Sequence, residues 1–402
     1  MQRSAERILT THVGSLPRAP ELFALLRASE NGEDCDADAL AAMVRASVAE
    51  MVQRQTTIGI DVVNDGEHSK SSFSSYTARR LDGFSAIDEA TESRGTTRDR
   101  LAFPGAYADH GAMCAARPLR QAMPRARRPW VCTGPVRYRG HADVAADIAN
   151  LKAAIAGRPA AEGFITALSP NNVAMYYPNR YYATEEEYYV ALADAMREEY
   201  TAIVDAGFLV QIDDPRLATH YDRHPGMSIE ECRRFIAEQV AYINHALRGI
   251  PADRVRFHTC YSTNVAPRVH DLELKHYVDL MLRIEACGYS FEASNPRHEH
   301  EWQVWEECKL PDDKVLIPGV VSHCIGLVEH PELVAQRIRR FAGLVGRERV
   351  IASNDCGFGT SSVGDEVHPE VAWAKLQALV DGARIAGASL WGAQGRRQVA
   401  AG

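Results

Sequence analysis

The stretch "HTCYSTN", residues 258–264, follows the apolar run "RVRF" and sets a histidine and a cysteine two positions apart. Side chains alternate along a strand, so His258 and Cys260 face the same way where that run ends. Taken alone, the pair fits a small buried thiol beside an imidazole bonded to a backbone carbonyl. Two further residues shift the balance: Glu292, closing "SFE", and Cys356, in "NDCG". One histidine, two cysteines and one glutamate form a donor set for tetrahedral zinc, because sulfur and imidazole donors are too soft for magnesium or calcium. Three firm ligands with a weaker carboxylate leave a position that a substrate can take, as catalytic rather than structural zinc sites do. The set predicts Zn²⁺ held by His258, Cys260, Glu292 and Cys356.

These four residues meet only if distant strand ends converge. Short β-rich runs recur along the chain: "GIDVVNDGE" (59–67), "WVCTGP" (130–135), "GFITALSP" (163–170), "GFLVQIDDP" (207–215), "RVRFHTC" (254–260), "GYSFEAS" (288–294), "KVLIPGVV" (314–321) and "RVIASNDCG" (349–357). Amphipathic segments lie between them. One, residues 184–207, opens on a threonine cap with an acidic first turn and closes on glycine; 228–249 and 330–346 follow related patterns. Such alternation predicts a parallel sheet, and no G-x-G-x-x-G follows the first strand to favour a dinucleotide fold. Polar and reactive residues gather where the runs end: Glu67, Asp213, His258 with Cys260, Glu292, His323 and Cys356. A closed barrel puts all such ends on one rim, whereas an open sheet joins only a pair at its switch point. The expected fold is therefore α/β, a single (β/α)8 TIM barrel over residues 1–402. Counting "ILTTHVG" gives nine candidates for eight places, so either "WVCTGP" or "GFITALSP" lies outside. Residues 84–129 read as an elaborated loop after the second strand, lying over the pocket.

The 402 residues are 46% hydrophobic and 24% charged, ordinary for a globular protein. A net charge of -8 argues against a nucleic-acid or membrane-surface partner. The one basic cluster, "RQAMPRARRPW" (120–130), reads as a solvated loop. No apolar run approaches the ~18 residues of a membrane span, and the first residues lack the apolar core of a signal peptide. Nine scattered cysteines suit a reducing compartment. A cytoplasmic enzyme is expected, possible as a homo-oligomer.

The chain resembles the cobalamin-independent methionine synthases, and more closely their short, single-barrel relatives, which include epoxide:thiol transferases. The resemblance runs through "TTHVGSLPR", "VVNDGE", "QIDDP", "HTC", "SFEASNPRHEHEW", "VEHPELVAQRI" and "NDCGFGT". It implies zinc on the same four residues, presenting a substrate thiol as thiolate to an electrophilic alkyl group. A free thiol has a pKa of about 8.5, and coordination to zinc deprotonates it. The resemblance also implies that Gly14 and Ser15 donate to a substrate carboxylate while Glu67 and Asp213 grip its ammonium, which suits homocysteine. From the residues alone, Gly14-Ser15 could equally be a turn and Asp213 a helix cap. Arg18, Asn295, Arg297 and His298 are further candidates to reach the pocket.

The chain departs from the family pattern at two places. Ser262 and Thr263 follow the H-x-C-aromatic where relatives usually carry glycine, and "VVSHCIG" brings Ser322, His323 and Cys324 where they usually show aspartate. The long synthases place a histidine general acid within one residue of His323, which implies that role here. The expected function is zinc-dependent alkyl transfer, above all methyl transfer, to a thiol such as homocysteine. Its partners are a small-molecule thiol and an alkyl donor: methylfolate, a methylcorrinoid protein or an electrophile. The alternative is addition of a thiol to an epoxide, which needs neither folate nor the grips at Glu67 and Asp213. A barrel metallohydrolase would want H-x-H on the first strand, where the chain offers only "THV". A non-catalytic binding protein would have no reason to retain one zinc per chain.

Overall fold

The structure, a computed structural model, describes residues 1–87, 96–115, 130–261, 263, 266–359 and 367–392. The strands are β1 (Leu9–Thr10), β2 (Val62–Asn64), β3 (Leu81–Ala86), β4 (Trp130–Tyr138), β5 (Glu162–Leu168), β6 (Leu209–Asp213), β7 (Val255–His258), β8 (Gly288–Glu292), β9 (Val315–Val321) and β10 (Ile351–Asn354). Eight of them form one sheet in the order β1-β10-β9-β8-β7-β6-β5-β2, every pair parallel. A parallel bridge between Thr11 and Val62 joins its two edges and closes the barrel. The (β/α)8 barrel expected from the alternation is the fold.

The ninth candidate has its own place. Residues 130–138 leave the barrel and pair antiparallel with β3, while "GFITALSP" supplies β5. Burial explains the choice. β5 is buried over its last five residues, as a strand covered on both faces must be, whereas β4 alternates between exposed and buried positions. The hairpin is fastened to the barrel by buried charge: Arg80 donates to Asp147 at 2.5 Å and Glu199 at 3.0 Å, and the Tyr138 hydroxyl donates to Glu199 at 2.9 Å.

Helices follow the caps their sequences carry. Thr184 accepts from the Glu187 N–H to open Glu185–Asp205, and Ser228 forms a capping box with Glu231 to open Ile229–Leu247. Within the long segment after β2, the short helix Arg98–Ala102 ties two rim loops together. Arg98 donates to the carbonyls of Tyr221, His224 and Met227, and the Asp99 carboxylate accepts from the Val269 and His270 N–H groups at 2.9 and 3.1 Å. The basic residues 120–129 and Ser262 lie outside the described residues. No described helix is long and apolar enough to cross a membrane.

The seam between β1 and β2 has little ladder of its own, so Asp61 carries it. Its Oδ2 accepts from the Thr10 N–H at 2.8 Å and the Thr10 hydroxyl at 3.0 Å, and both its oxygens accept from Arg7. The Asp61 side chain is 7% exposed and that of Arg7 is 60% exposed. Asp61→Ala should therefore lower stability by about 2–3 kcal/mol, because a buried N–H loses its charged acceptor. Arg7→Ala, at a solvent-screened pair, should cost less than about 1 kcal/mol. Urea unfolding midpoints check this; equal losses in the two variants would place the seam's strength elsewhere.

Candidate active site

Two strand ends bring the sulfur and imidazole donors together. His258 ends β7, Cys260 lies two residues on, and Cys356 lies two residues beyond β10. Their donor atoms lie within 4.8 Å of one another, all three residues are buried, and the two Sγ atoms are 3.2 Å apart. Ser290, paired with His258 in the β7–β8 register, sits 3.2 Å from His258 Nδ1. His258 Nε2 is buried and has no partner among the described residues. Burial, helped by the nearby charge of Arg256, lowers the His258 pKa to about 3, so its imidazole is neutral. The hydrogen bond to Cys260, and burial after it, push the Cys356 thiol well above its ordinary range. A neutral imidazole and two adjoining thiols are a metal-binding donor set.

Glu292 stands beside this trio in a second group. With His323 and Asp355 it forms another buried set whose oxygen and nitrogen atoms lie within 4.8 Å of one another. Glu292 Oε1 accepts from the Tyr261 N–H at 2.6 Å and Oε2 from the Asn295 amide at 2.8 Å. Asp355 accepts from the Ala293 and Ser294 N–H groups and the Ser294 hydroxyl, and burial followed by the charge of Glu292 raises its pKa to about 8. Room for Asp355 comes from Gly319 on β9, where a Cβ would lie 2.3 Å from an Asp355 oxygen. Neither Ser290 nor Asp355 was singled out from sequence. Both were within reach, Ser290 by the two-residue period from Glu292 and Asp355 by its place beside Cys356.

A cavity of about 390 Å³ opens onto the trio. Val13, Ser15, Glu67, Asp213, His258, Cys260 and Cys356 line it, with Phe73, Tyr176, Arg216 and Arg223 among the residues from rim loops. Glu67 is the one non-glycine described residue with a left-handed backbone, φ 59°, in a region that costs strain and that recurs at functional sites. Its Oε1 accepts from the Thr166 hydroxyl at 2.9 Å, while its buried Oε2 has no partner among the described residues. Asp213 accepts from the Gln211 amide at 2.8 Å; burial, then the charge of Glu67, holds its carboxyl well above the usual carboxylate range. The Ser15 hydroxyl is likewise buried without a partner among the described residues. Gly14, φ 147°, lies against Glu67 rather than on the wall: a Cβ there would meet Glu67 Oε1 at 2.8 Å.

His323 is fully buried and does not line the cavity. Nor do Arg18, Asn295, Arg297 and His298, which hold the site's loops instead. Arg18 donates to the carbonyls of Glu67 and Gly359, and Arg297 donates to that of Val269. His298 stacks on Tyr261, centroids 3.6 Å apart, with Glu301 at 3.0 Å from Nδ1 and Asp271 at 3.2 Å from Nε2. Burial pushes His298 down, but the hydrogen bonds to Asp271 and Glu301 outweigh it and raise its pKa to about 9. A folded value above the unfolded one stabilises fully below about pH 6.5 and is lost as pH rises through about 9, on the order of 3 kcal/mol in all. The stability gap between the protein and His298→Gln should thus narrow from pH 6.5 to 9. A gap constant across that window, in denaturant titrations, would rule out the imidazolium clamp.

The model of the cobalamin-independent synthase catalytic domain matches residues 8–137, which include Gly14, Ser15 and Glu67 and stop short of the trio. The methionine synthase of Thermococcus kodakarensis is 25% identical over 379 residues, covering 94% of this chain and 92% of that protein. That of Saccharolobus solfataricus is also 25% identical over 379 residues, with 94% of each covered. Among solved structures, a B12-independent methionine synthase from Shewanella sp. in complex with selenomethionine superposes with a TM-score of 0.69 at 18% identity, covering 98% of this chain and 99% of that one. That likeness shows the same fold. Over residues 8–137 the chain is thus similar to the catalytic domain of the cobalamin-independent synthases, and over most of its length to methionine synthases; it is a methyl-transferring enzyme, a transferase.

Proposed function

We propose that the chain is a zinc-dependent transferase that moves a methyl group onto the sulfur of an amino-acid thiol, with homocysteine as acceptor. The observation that carries this reading is one cavity with two chemistries: the His258–Cys260–Cys356 trio and the buried acidic pair Glu67 and Asp213. The methionine synthase names of its relatives support it.

The donors fit zinc. His258, Cys260 and Cys356 would hold the ion, and Glu292 would complete the set as the weaker ligand, giving up its bond from Tyr261 or Asn295 to do so. When bound, zinc supplies the Lewis acidity that keeps a substrate thiol deprotonated at neutral pH. The chain's own groups do the rest. Glu67 Oε2 and Asp213 receive the ammonium, and the Ser15 hydroxyl and backbone, for which Gly14 makes the turn, receive the carboxylate. Two fixed ends on one side of the cavity aim the third, the sulfur, at the trio, which supplies the orientation a methyl transfer needs. An arriving ammonium offsets the burial, and after it the repulsion from Glu67, that raises Asp213, so this carboxyl gives up its proton as substrate binds. The helix Arg98–Ala102 serves as part of a cover, and the anchors of Arg98 and Asp99 on the rim support that role. Epoxide opening by a simple thiol is the second reading; the acidic pair has no use in it.

Purified protein should carry one zinc per chain, transfer methyl to homocysteine, and lose both properties in Cys356→Ser. Metal analysis well below one per chain, or a Cys356→Ser protein with its full zinc, would remove this reading. His323 is proposed as the acid that protonates the leaving nitrogen of an amine-type donor, with donor binding bringing the two together. Glu292 and Asp355, whose donor atoms lie within 4.8 Å of its own, would orient it for that transfer. His323→Gln should then slow turnover roughly 10²–10⁴-fold with zinc content intact. Lost zinc would assign His323 to the metal shell instead, and unchanged turnover would exclude it from the chemistry.

A further inference from the structure

Beneath the acidic pair lies a buried cation that the reaction does not touch. Lys70 is 1% exposed, and its Nζ donates to the Thr166 carbonyl at 2.6 Å and to the Thr166 hydroxyl at 2.9 Å. The same ammonium lies 4.5 Å from the centre of the Tyr76 ring. An ammonium carries only donors, so the Thr166 oxygen must accept from it. A hydroxyl has one proton, and with Lys70 on its lone pair that proton points to Glu67 Oε1, 2.9 Å away. The direction of the chain is fixed from its far end: Lys70 to Thr166 to Glu67.

We propose that Lys70 and Thr166 are positioning residues for acceptor recognition, which orient Glu67 so that Oε1 is used internally and Oε2 is left as the acceptor for a substrate ammonium. The inference rests on the amino-acid-thiol reading given above. Three observations support it independently of that reading. Glu67 Oε2 is buried with no partner among the described residues, although it belongs to a residue whose strained backbone holds it at the cavity. Gly14 leaves room for the chain, since a Cβ there would meet the Thr166 methyl at 2.7 Å and Glu67 Oε1 at 2.8 Å. The second grip is built the same way: Thr166 pairs in register with Gln211, whose amide donates to Asp213 from one layer below. Each carboxylate that faces the cavity is thus aimed by an inward side chain of the layer beneath.

The test compares homocysteine with its analogue lacking the amino group, each titrated calorimetrically into zinc-loaded protein, with metal content measured first for every variant. Thr166→Val keeps the shape and removes the hydroxyl. It should weaken homocysteine roughly tenfold to a hundredfold, the effect of a lost charge-assisted contact, and leave the analogue unchanged. Thr166→Ser should restore homocysteine binding. Lys70→Met, which frees the hydroxyl to turn, should repeat the selective loss in part, and keeps the inference testable if the valine variant does not fold. Equal weakening of both thiols, or none, would overturn the relay while leaving the acceptor reading standing. Should the unaltered protein bind both thiols equally, the acceptor reading itself fails, and the relay's role falls with it.

Discussion

A guanidinium shut inside the barrel is the constraint on which the rest of the structure depends. Arg256 lies on β7 two residues before His258, on the same inward face, and is 1% exposed. It donates to the Thr11 hydroxyl at 3.0 Å and the His12 carbonyl at 3.2 Å, and lies 3.9 Å over the ring of Phe164. These contacts link β7 to the β1 segment and to β5 across the interior. Burial lowers the Arg256 pKa to about 9, while the charge of Asp213 opposes that shift. A buried cation of this kind is tolerated only with compensating partners, and one of them, Asp213, lines the cavity. The same charge adds to the burial that keeps His258 neutral. One side chain therefore ties three strands together, faces the buried acid Asp213 and adds to the burial that keeps His258 neutral.

What sequence could show follows from the two-residue period of strands. His258, Glu292 and Asp213 stand at the ends of β7, β8 and β6, and Cys260 two residues past β7, positions that a run's inward face makes visible in its own residues. The place of residues 130–138 was not visible, since their partner Leu81–Ala86, "LDGFSA", has almost no apolar alternation to mark it as a strand. Contacts set by register across strands were equally hidden. Ser290 against His258, and Thr166 beside Gln211, depend on how neighbours slide past one another. The four residues around "NPRH" and at Arg18 were read as possible cavity walls. They prove to be scaffolding, because their polar ends are spent on backbone carbonyls and carboxylates of the loops they hold.

The departure Ser322-His323-Cys324 also belongs to a rigid part of the rim. The Ser322 N–H donates to Glu329 at 2.8 Å, and Glu329 accepts from Lys375 at 2.9 Å, with the lysine side chain 0% exposed. Lys375 comes from the last described helix, Pro369–Trp391, and also donates to the Leu327 carbonyl. Breaking such a pair by removing one partner costs about 3–5 kcal/mol, so the turn that presents His323 is held by a buried ion pair whose members do not line the cavity. Its geometry is inherited from the packing of that helix and does not depend on the chemistry at the trio.

Burial drives the titratable groups of this rim toward their neutral forms. His258 is pushed down to about 3, Asp355 up to about 8, and Asp213 and Cys356 well above their ordinary ranges. In each case except Cys356, where the bond to Cys260 comes first, loss of solvent is the leading cause. Groups neutralised this way exchange protons for charge, because a cation placed beside them restores the stabilisation that water no longer gives. The acidic pair and the sulfur trio differ in chemistry, carboxylates in one and thiols with an imidazole in the other, yet the same low-dielectric wall sets the shifts of both. The titration of the acidic pair and that of the sulfur trio are therefore coupled through one physical property of the cavity, its dryness, and a change that admitted water would relax the shifts of both together.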